Sequence, residues 1–307
     1  MEAEKKKTRI TALILAIAMT LCALTGCSLF KPTAVSLTKK TVENLGKVQS
    51  VKADTNVDYE GAVTIAQLGT DMDIKLSGDF DTEAVIGTGT SHVDGSVSTT
   101  LPIFGDISIP VESYQQIVDG GAVSYTNVFD TGWVKTESKE EDSKTSDFNL
   151  DPKAIFAILQ KIVSGEIAAE LAEETEMLGD KEVYKMEVTV SGDLLNEMIK
   201  AAAEAEGEDS EALKDIDLTG ADAGLVLYII KDTKLPAKVS IDCTELGNVL
   251  MQKMSEDKSF TSKATKFEIT MDNIEYDTID ELKIPDEVIS SATDADSVNL
   301  FENVPGM

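Results

Sequence analysis

Leu225-Val226-Leu227-Tyr228-Ile229-Ile230-Lys231-Asp232-Thr233-Lys234-Leu235-Pro236-Ala237-Lys238-Val239-Ser240-Ile241-Asp242-Cys243 is the stretch that decides the fold. Leu225 to Ile230 is apolar on both faces of an extended chain. Lys231 to Lys234 breaks the run with four polar residues. The chain then alternates: Ala237, Val239, Ile241 and Cys243 share one face, and Lys238, Ser240 and Asp242 share the other. Period two on either side of a short polar break is the signature of an antiparallel strand pair with one buried face.

Upstream, the same period recurs. Val51, Ala53, Thr55, Val57 and Tyr59 alternate with polar residues, and Met72-Ile74-Leu76, Val85 to Thr90, Ile107-Ile109-Val111, Val123-Tyr125 and Trp133-Val134 repeat the pattern between Gly, Asp and Asn. Strand following strand implies an antiparallel meander, one face covered and one wet. Glu137 to Leu150 is polar and without period, a loop or hinge. Tyr184-Met186-Val188-Val190 is a further strand. Phe267-Ile269-Met271 and Ile274-Tyr276 form the last one, with an odd step that predicts a bulge between Met271 and Ile274.

Four helices interrupt the strands. The first is expected over 36–46, capped by Ser36 and ended by Gly46. The second begins with Asp151 as N-cap and Pro152 at the first helical position. Its stripe of Ile155, Ile158, Leu159 and Ile162 is widened by Phe156 and Val163. A third starts at Asp193 and carries Leu194, Leu195, Met198, Ile199 and Ala202. The fourth spans 244–254, with Leu246, Val249, Leu250 and Met254 on one side.

The N-terminus gives an address. Lys5, Lys6, Lys7 and Arg9 precede an apolar stretch from Ile10 to Ala23, and Leu24-Thr25-Gly26-Cys27 closes it. That is the layout of a secretory signal peptide. A Cys placed directly after Leu-Thr-Gly resembles the bacterial lipobox, in which the thiol is diacylated and becomes the new N-terminus. The rival reading is an uncleaved anchor, since Ile10 to Phe30 is 21 residues without a charge; Thr11, Thr20, Thr25, Gly26 and Ser28 dilute it. Both readings leave the remainder outside the cytoplasm and tethered to a membrane.

Removing residues 1–26 takes the formal charge from −29 to −31. Phosphate-rich partners such as nucleic acid are then disfavoured, as is electrostatic docking on anionic headgroups. Cys22 leaves with the signal peptide and Cys27 is consumed by lipid, so Cys243 remains alone and no internal disulfide forms. Its place on the apolar face makes it a small buried hydrophobe.

His92 is the only histidine. That leaves no His-based metal cluster, and makes a Ser-His-Asp triad a poor fit, because neighbouring Ser91 would face away from it. No GxSxG, HExxH, P-loop or GxGxxG sequence occurs. Asp294-Ala295-Asp296 with Asn299 lacks the Gly and closing Glu of a calcium loop. The sequence therefore names no catalytic residue, no metal site and no cofactor.

Taken together, this layout resembles the lipoprotein-carrier superfamily of LolA/LolB-like and LppX-type lipoproteins, nearest its uncharacterised Gram-positive members. The motifs are Leu227 to Lys238, in which Ile230 stands where an Asp is common; Gly132-Trp133-Val134-Lys135 after Tyr125; and Ile284-Pro285-Asp286-Glu287-Val288. The resemblance covers about residues 36–290. The resemblance implies an α+β fold: a strongly curved antiparallel sheet, an open half-barrel, with helices packed on its concave face. It also implies a space between sheet and helices that takes acyl chains in some members, and no catalytic residues.

The expected organisation is then a signal peptide over 1–26, a lipidated Cys and short tether over 27–35, the half-barrel domain over 36–290 and a flexible acidic tail over 291–307. The expected function is a noncatalytic, lipid-anchored extracytoplasmic lipoprotein, with Ile155, Phe156, Leu159 and Val163 lining a cavity for a lipid or other hydrophobic ligand. Its alternative is a structural or interaction lipoprotein of the cell envelope, in which the same side chains fill a packed core. A transporter's solute-binding protein fits less well, because it would need repeated βαβ units.

Overall fold

The computed structural model describes residues 31–65, 70–101, 105–119, 121–139, 152–197, 217–254 and 260–295. The lipobox, most of the polar 137–150 stretch, the third helix beyond Glu197 and residues 296–307 lie outside these.

Helix α1 (Ala34–Leu45) leads into a meander of β1 (Ser50–Ile65), β2 (Thr70–Val85), β3 (Thr90–Leu101), β4 (Gly105–Val118), β5 (Gly121–Val128) and β6 (Trp133–Lys139). Helix α2 (Pro152–Ser164) follows, then β7 (Ala169–Leu171), β8 (Glu176–Leu178) and β9 (Lys181–Val190). A short helical turn covers 192–197. The chain continues through β10 (Ala223–Ile230), β11 (Pro236–Asp242), α3 (Thr244–Met254), β12 (Phe260–Tyr276), α4 (Asp286–Ser291) and β13 (Thr293–Asp294).

Among the described residues the strands form one 13-stranded sheet in the order β13-β6-β5-β4-β3-β2-β1-β12-β11-β10-β9-β7, with β8 on β9. All pairs are antiparallel except β13 with β6. The end strands do not meet, so the sheet is the open half-barrel expected. Two strand systems joined by β1 against β12 make it up, and the bulge foreseen after Met271 is there: Asn273 and Ile274 together face Ala53. Asn273 takes positive φ and donates from Nδ2 to Asp54 Oδ2 at 2.6 Å.

The first helix differs from expectation at its start. Thr33, not Ser36, is the N-cap: its Oγ1 accepts the Ser36 N–H at 3.1 Å. Two hydroxyls three residues apart offer the same cap, and the earlier one wins because Ala34 then packs on the core. The tether therefore ends at Thr33. The end of the domain also shifts. Residues 291–294, expected in a loose tail, complete α4 and add β13 beside Val134 and Lys135.

The sheet's two faces are unlike. Inner-face residues Leu225, Leu227 and Ile229 of the deciding stretch are buried, with Met186, Val188 and Val190 of β9 and Val239 of β11. Leu37 of α1 and Leu159 and Ile162 of α2 close this core from above. Helix α3 lies on the same face: Gly247 approaches the Phe267 ring so closely that a Cβ would stand 2.9 Å from it.

A second, smaller cluster lies on the outer face. Tyr114 and Tyr125 are direct cross-strand partners there, and the closing segment after β12 folds over them with Ile284, Val288 and Ala292. Asp277 Oδ1 accepts the N–H groups of Gln49 and Ser50, and Ile279 N–H donates to Ser50 Oγ. These bonds pin the crossing.

Candidate hydrophobic site

Of the four residues expected to line a cavity, Leu159 is wholly buried. It packs in the main core with Leu37, Ile162, Met186 and Leu227. Phe156 and Val163 are half-buried and join neither core cluster. Ile155 is within α2, but its side chain lies outside the described residues. The helix thus presents one face to the core and another beside it.

Among the described residues, the apolar surface that the helices leave open lies on the first four strands. Residues directly opposite each other share a face of the sheet. The register places Val57, Gly78, Val97 and Ile109 in one row across β1–β4, and Thr55, Phe80, Gly95, Val111 and Val128 in the next. Both rows stand on the inner face, because Val51 and Ala53 of β1 lie on the helix-bearing side. Val57, Phe80, Val97, Ile109 and Val111 are each half-buried, and none joins either core cluster.

Two glycines shape this surface. A Cβ on Gly95 would lie 2.0 Å from the Asp79 carbonyl oxygen and 2.8 Å from Phe80 Cα; one on Gly78 would lie 2.6 Å from the Phe80 ring. Phe80 therefore rests along the sheet, over positions where side chains would otherwise stand. The result is a low apolar trough. Tyr59 borders it, its ring edge-on to Phe267 at 6.1 Å.

The outer face of the same strands is polar. Lys75 pairs with Glu60 at 2.9 Å, Lys52 with Glu83 at 3.0 Å and Lys266 with Asp58 at 2.9 Å. An open hollow of about 300 Å³ there is lined by Asp58, Glu60, Lys75, Ser98, Thr100 and Asp106. Its groups answer one another, as in the Thr100 Oγ1 donation to Asp106 Oδ1 at 2.7 Å.

His92 stands on that outer face, with Nε2 3.2 Å from Glu112 Oε1 and its ring stacked on Tyr114 at 4.2 Å. Ser91 is on the inner face, so the two are back to back and form no nucleophile–base pair. Burial, then the neighbouring Glu112 charge, pushes the Tyr114 phenol up to about 12. Cys243 is half-buried, and its thiol is pushed up to about 11 by burial and then by Asp242. Neither is poised as a nucleophile near neutral pH. No group of three or more His, Cys, Asp or Glu among the described residues is placed to hold a metal ion.

The sequence reading found helix α2 but missed the trough. Its signal was present in the alternation of Val57, Phe80, Val97, Ile109 and Val111, and in glycines inside strands, which mark close approach. Only the register shows that they share one face.

An α+β half-barrel with a helix-covered half and an open apolar half defines the class of protein. The chain belongs to a family of unknown function, DUF6612, whose profile matches residues 33–293. No curated protein matches the sequence significantly. Among solved structures it is similar to LprF from Mycobacterium bovis, at 11% identity over 83% of this chain and 98% of that one, with a TM-score of 0.41. It is similar to the Mycobacterium tuberculosis lipoprotein LppX, at 12% identity over 81% and 98%, with a TM-score of 0.38. A beta-barrel-like protein of DUF1849 from Brucella abortus gives 9% identity over 75% and 98%, with a TM-score of 0.31. Among the described residues no helix is long and apolar enough to cross a membrane.

Proposed function

We propose that the chain is a noncatalytic, extracytoplasmic lipoprotein, anchored through lipid on Cys27, that holds a hydrophobic ligand in the inner trough of β1–β4. The observation that carries the reading is the row of half-buried apolar side chains that neither core cluster claims. A ligand with an acyl chain suits it: the walls are aliphatic, the Phe80 ring is flat, and no charged side chain stands in the two central rows. The Leu24-Thr25-Gly26-Cys27 sequence supports the anchor and the address.

A second reading, a structural or interaction lipoprotein with no ligand, draws support from Leu159, which is wholly buried in the main core cluster. One experiment separates the two. Mass spectrometry of lipid extracted from the purified protein, with titration of a fluorescent fatty acid, should show bound lipid and saturable probe binding. Val97→Asp should abolish both while leaving the circular dichroism unchanged. Absence of lipid and probe from the wild type would leave the structural reading.

A further inference from the structure

We propose that one end of the half-barrel, carrying the β2–β3, β4–β5 and β10–β11 turns, seats directly on a phospholipid surface. The proposal rests on the membrane-anchored reading and adds an orientation to it. The register defines that end. Val51 faces Tyr276 and Ala84, Ser91 faces Gln115, and Val183 faces Ile230. The α1–β1 junction, the Ile86–Gly89 turn, the end of β4 and the turns at 179–180 and 231–235 therefore lie at the same end.

Exposed apolar side chains gather here. Ile86 is 56% exposed, Ile117 61%, Val118 43% and Met177 64%. Ile117 is held by its N–H to the Gly89 carbonyl at 2.9 Å, and its side chain lies against Gly89. It is thereby fixed beside the Ile86 turn. Branched side chains on turn tips gain nothing from water, and an acyl–headgroup boundary would bury them.

Basic groups gather here too. Asn44 Nδ2 donates to the Thr233 carbonyl at 2.8 Å, and Lys47 Nζ donates to Asn44 Oδ1 at 3.1 Å. Lys40 and Lys231 both lie close enough to Lys234 to act on its charge. In a chain that carries 56 acidic residues against 27 basic ones, Lys231 pairs with Glu182 at 2.8 Å and Lys234 Nζ turns onto the Lys231 carbonyl and the Tyr184 ring, which leaves exposed Lys40 and Lys47 as the cations facing solvent at this end. They offer a local match to lipid phosphates that the whole-chain charge conceals.

The chain enters at this end as well. Lys31 Nζ donates to the Glu173 carbonyl, between β7 and β8, and Ala172 N–H donates to the Lys185 carbonyl in the first half of β9. Cys27 is four residues earlier, a reach of roughly 14 Å at ~3.5 Å per residue. An acylated Cys27 would hold this end, and not the Phe129 end, against the bilayer.

The test uses the full chain, expressed with its leader, purified from membranes and reconstituted in phosphatidylcholine–phosphatidylglycerol vesicles. In a Cys243→Ala background, Ile86→Cys, Ile117→Cys and Phe129→Cys are each labelled with an environment-sensitive fluorophore. Nitroxide-bearing lipid should quench the label at 86 and 117 at least threefold more than at 129, and the emission at 86 and 117 should shift to the blue. Flotation of the protein with vesicles but equal quenching at all three positions would overturn the docking and leave the anchor standing. Failure to float would overturn both.

Discussion

Leu159→Ala separates the packed half of the molecule from the open half. The Leu159 side chain is fully buried among Leu37, Ile162, Met186 and Leu227. Truncation removes three carbons, about 2.4 kcal/mol at ~0.8 kcal/mol per buried methylene. The hole is enclosed by two helices and the sheet and relaxes little, so the total should reach about 3–4 kcal/mol. With a urea slope of about 2 kcal/mol/M, the midpoint should fall by about 1.5–2 M. Ile109→Ala removes a side chain of similar volume from the half-buried trough, and should cost about 1 kcal/mol. Urea unfolding and fatty-acid titration on both variants give four numbers. The expected pattern is a large stability loss with intact probe binding for Leu159→Ala, and the reverse for Ile109→Ala. A Leu159→Ala cost below about 1 kcal/mol, with weakened probe binding, would refute the division and make α2 a cavity wall.

Cys27→Ala should leave an unprocessed precursor and reduce membrane retention; unchanged processing in pulse-labelled cells would rule out lipidation. Gly95→Ala should cost more than about 2 kcal/mol by thermal melting, because its Cβ would stand 2.0 Å from the Asp79 oxygen. Val288→Ala should cost ~2 kcal/mol and release the closing segment, read as faster tryptic cleavage after exposed Lys283. Cys243, raised from 9.0 to about 11, should be alkylated ~100-fold more slowly at pH 8 than a free thiol until the protein is unfolded. The rate should climb with pH up to about 11, since the thiolate is the reacting form.

Much of the architecture was written in local pattern. Period two announced the meander, Gly46 and Pro152 marked helix ends, and the odd step from Met271 to Ile274 announced the bulge. What the sequence hid was long-range. Nothing near Val57 or Val97 says that Gly78 and Ile109 stand beside them; that follows from register. The Tyr114–Tyr125 cluster reads as one face of two strands, but its cover comes from Val288, which no local pattern could assign to it. Leu159 and Phe156 are neighbours on an apolar stripe, and a broad stripe does not say which of them joins the main core. Thr33 and Ser36 were equivalent caps until packing of Ala34 chose between them.

The joint between the two strand systems has a consequence for how the molecule is made. β1 pairs with β12, so Val51 waits for Tyr276. A chain emerging N-terminus first can assemble β1 to β6, but one long side of β1 stays an open edge until β12, which begins at Phe260, has followed. That edge is 16 residues long, and open edges recruit other chains. Lys52, Asp54, Asp58 and Glu60 alternate along it, so the half-built sheet carries its own guard.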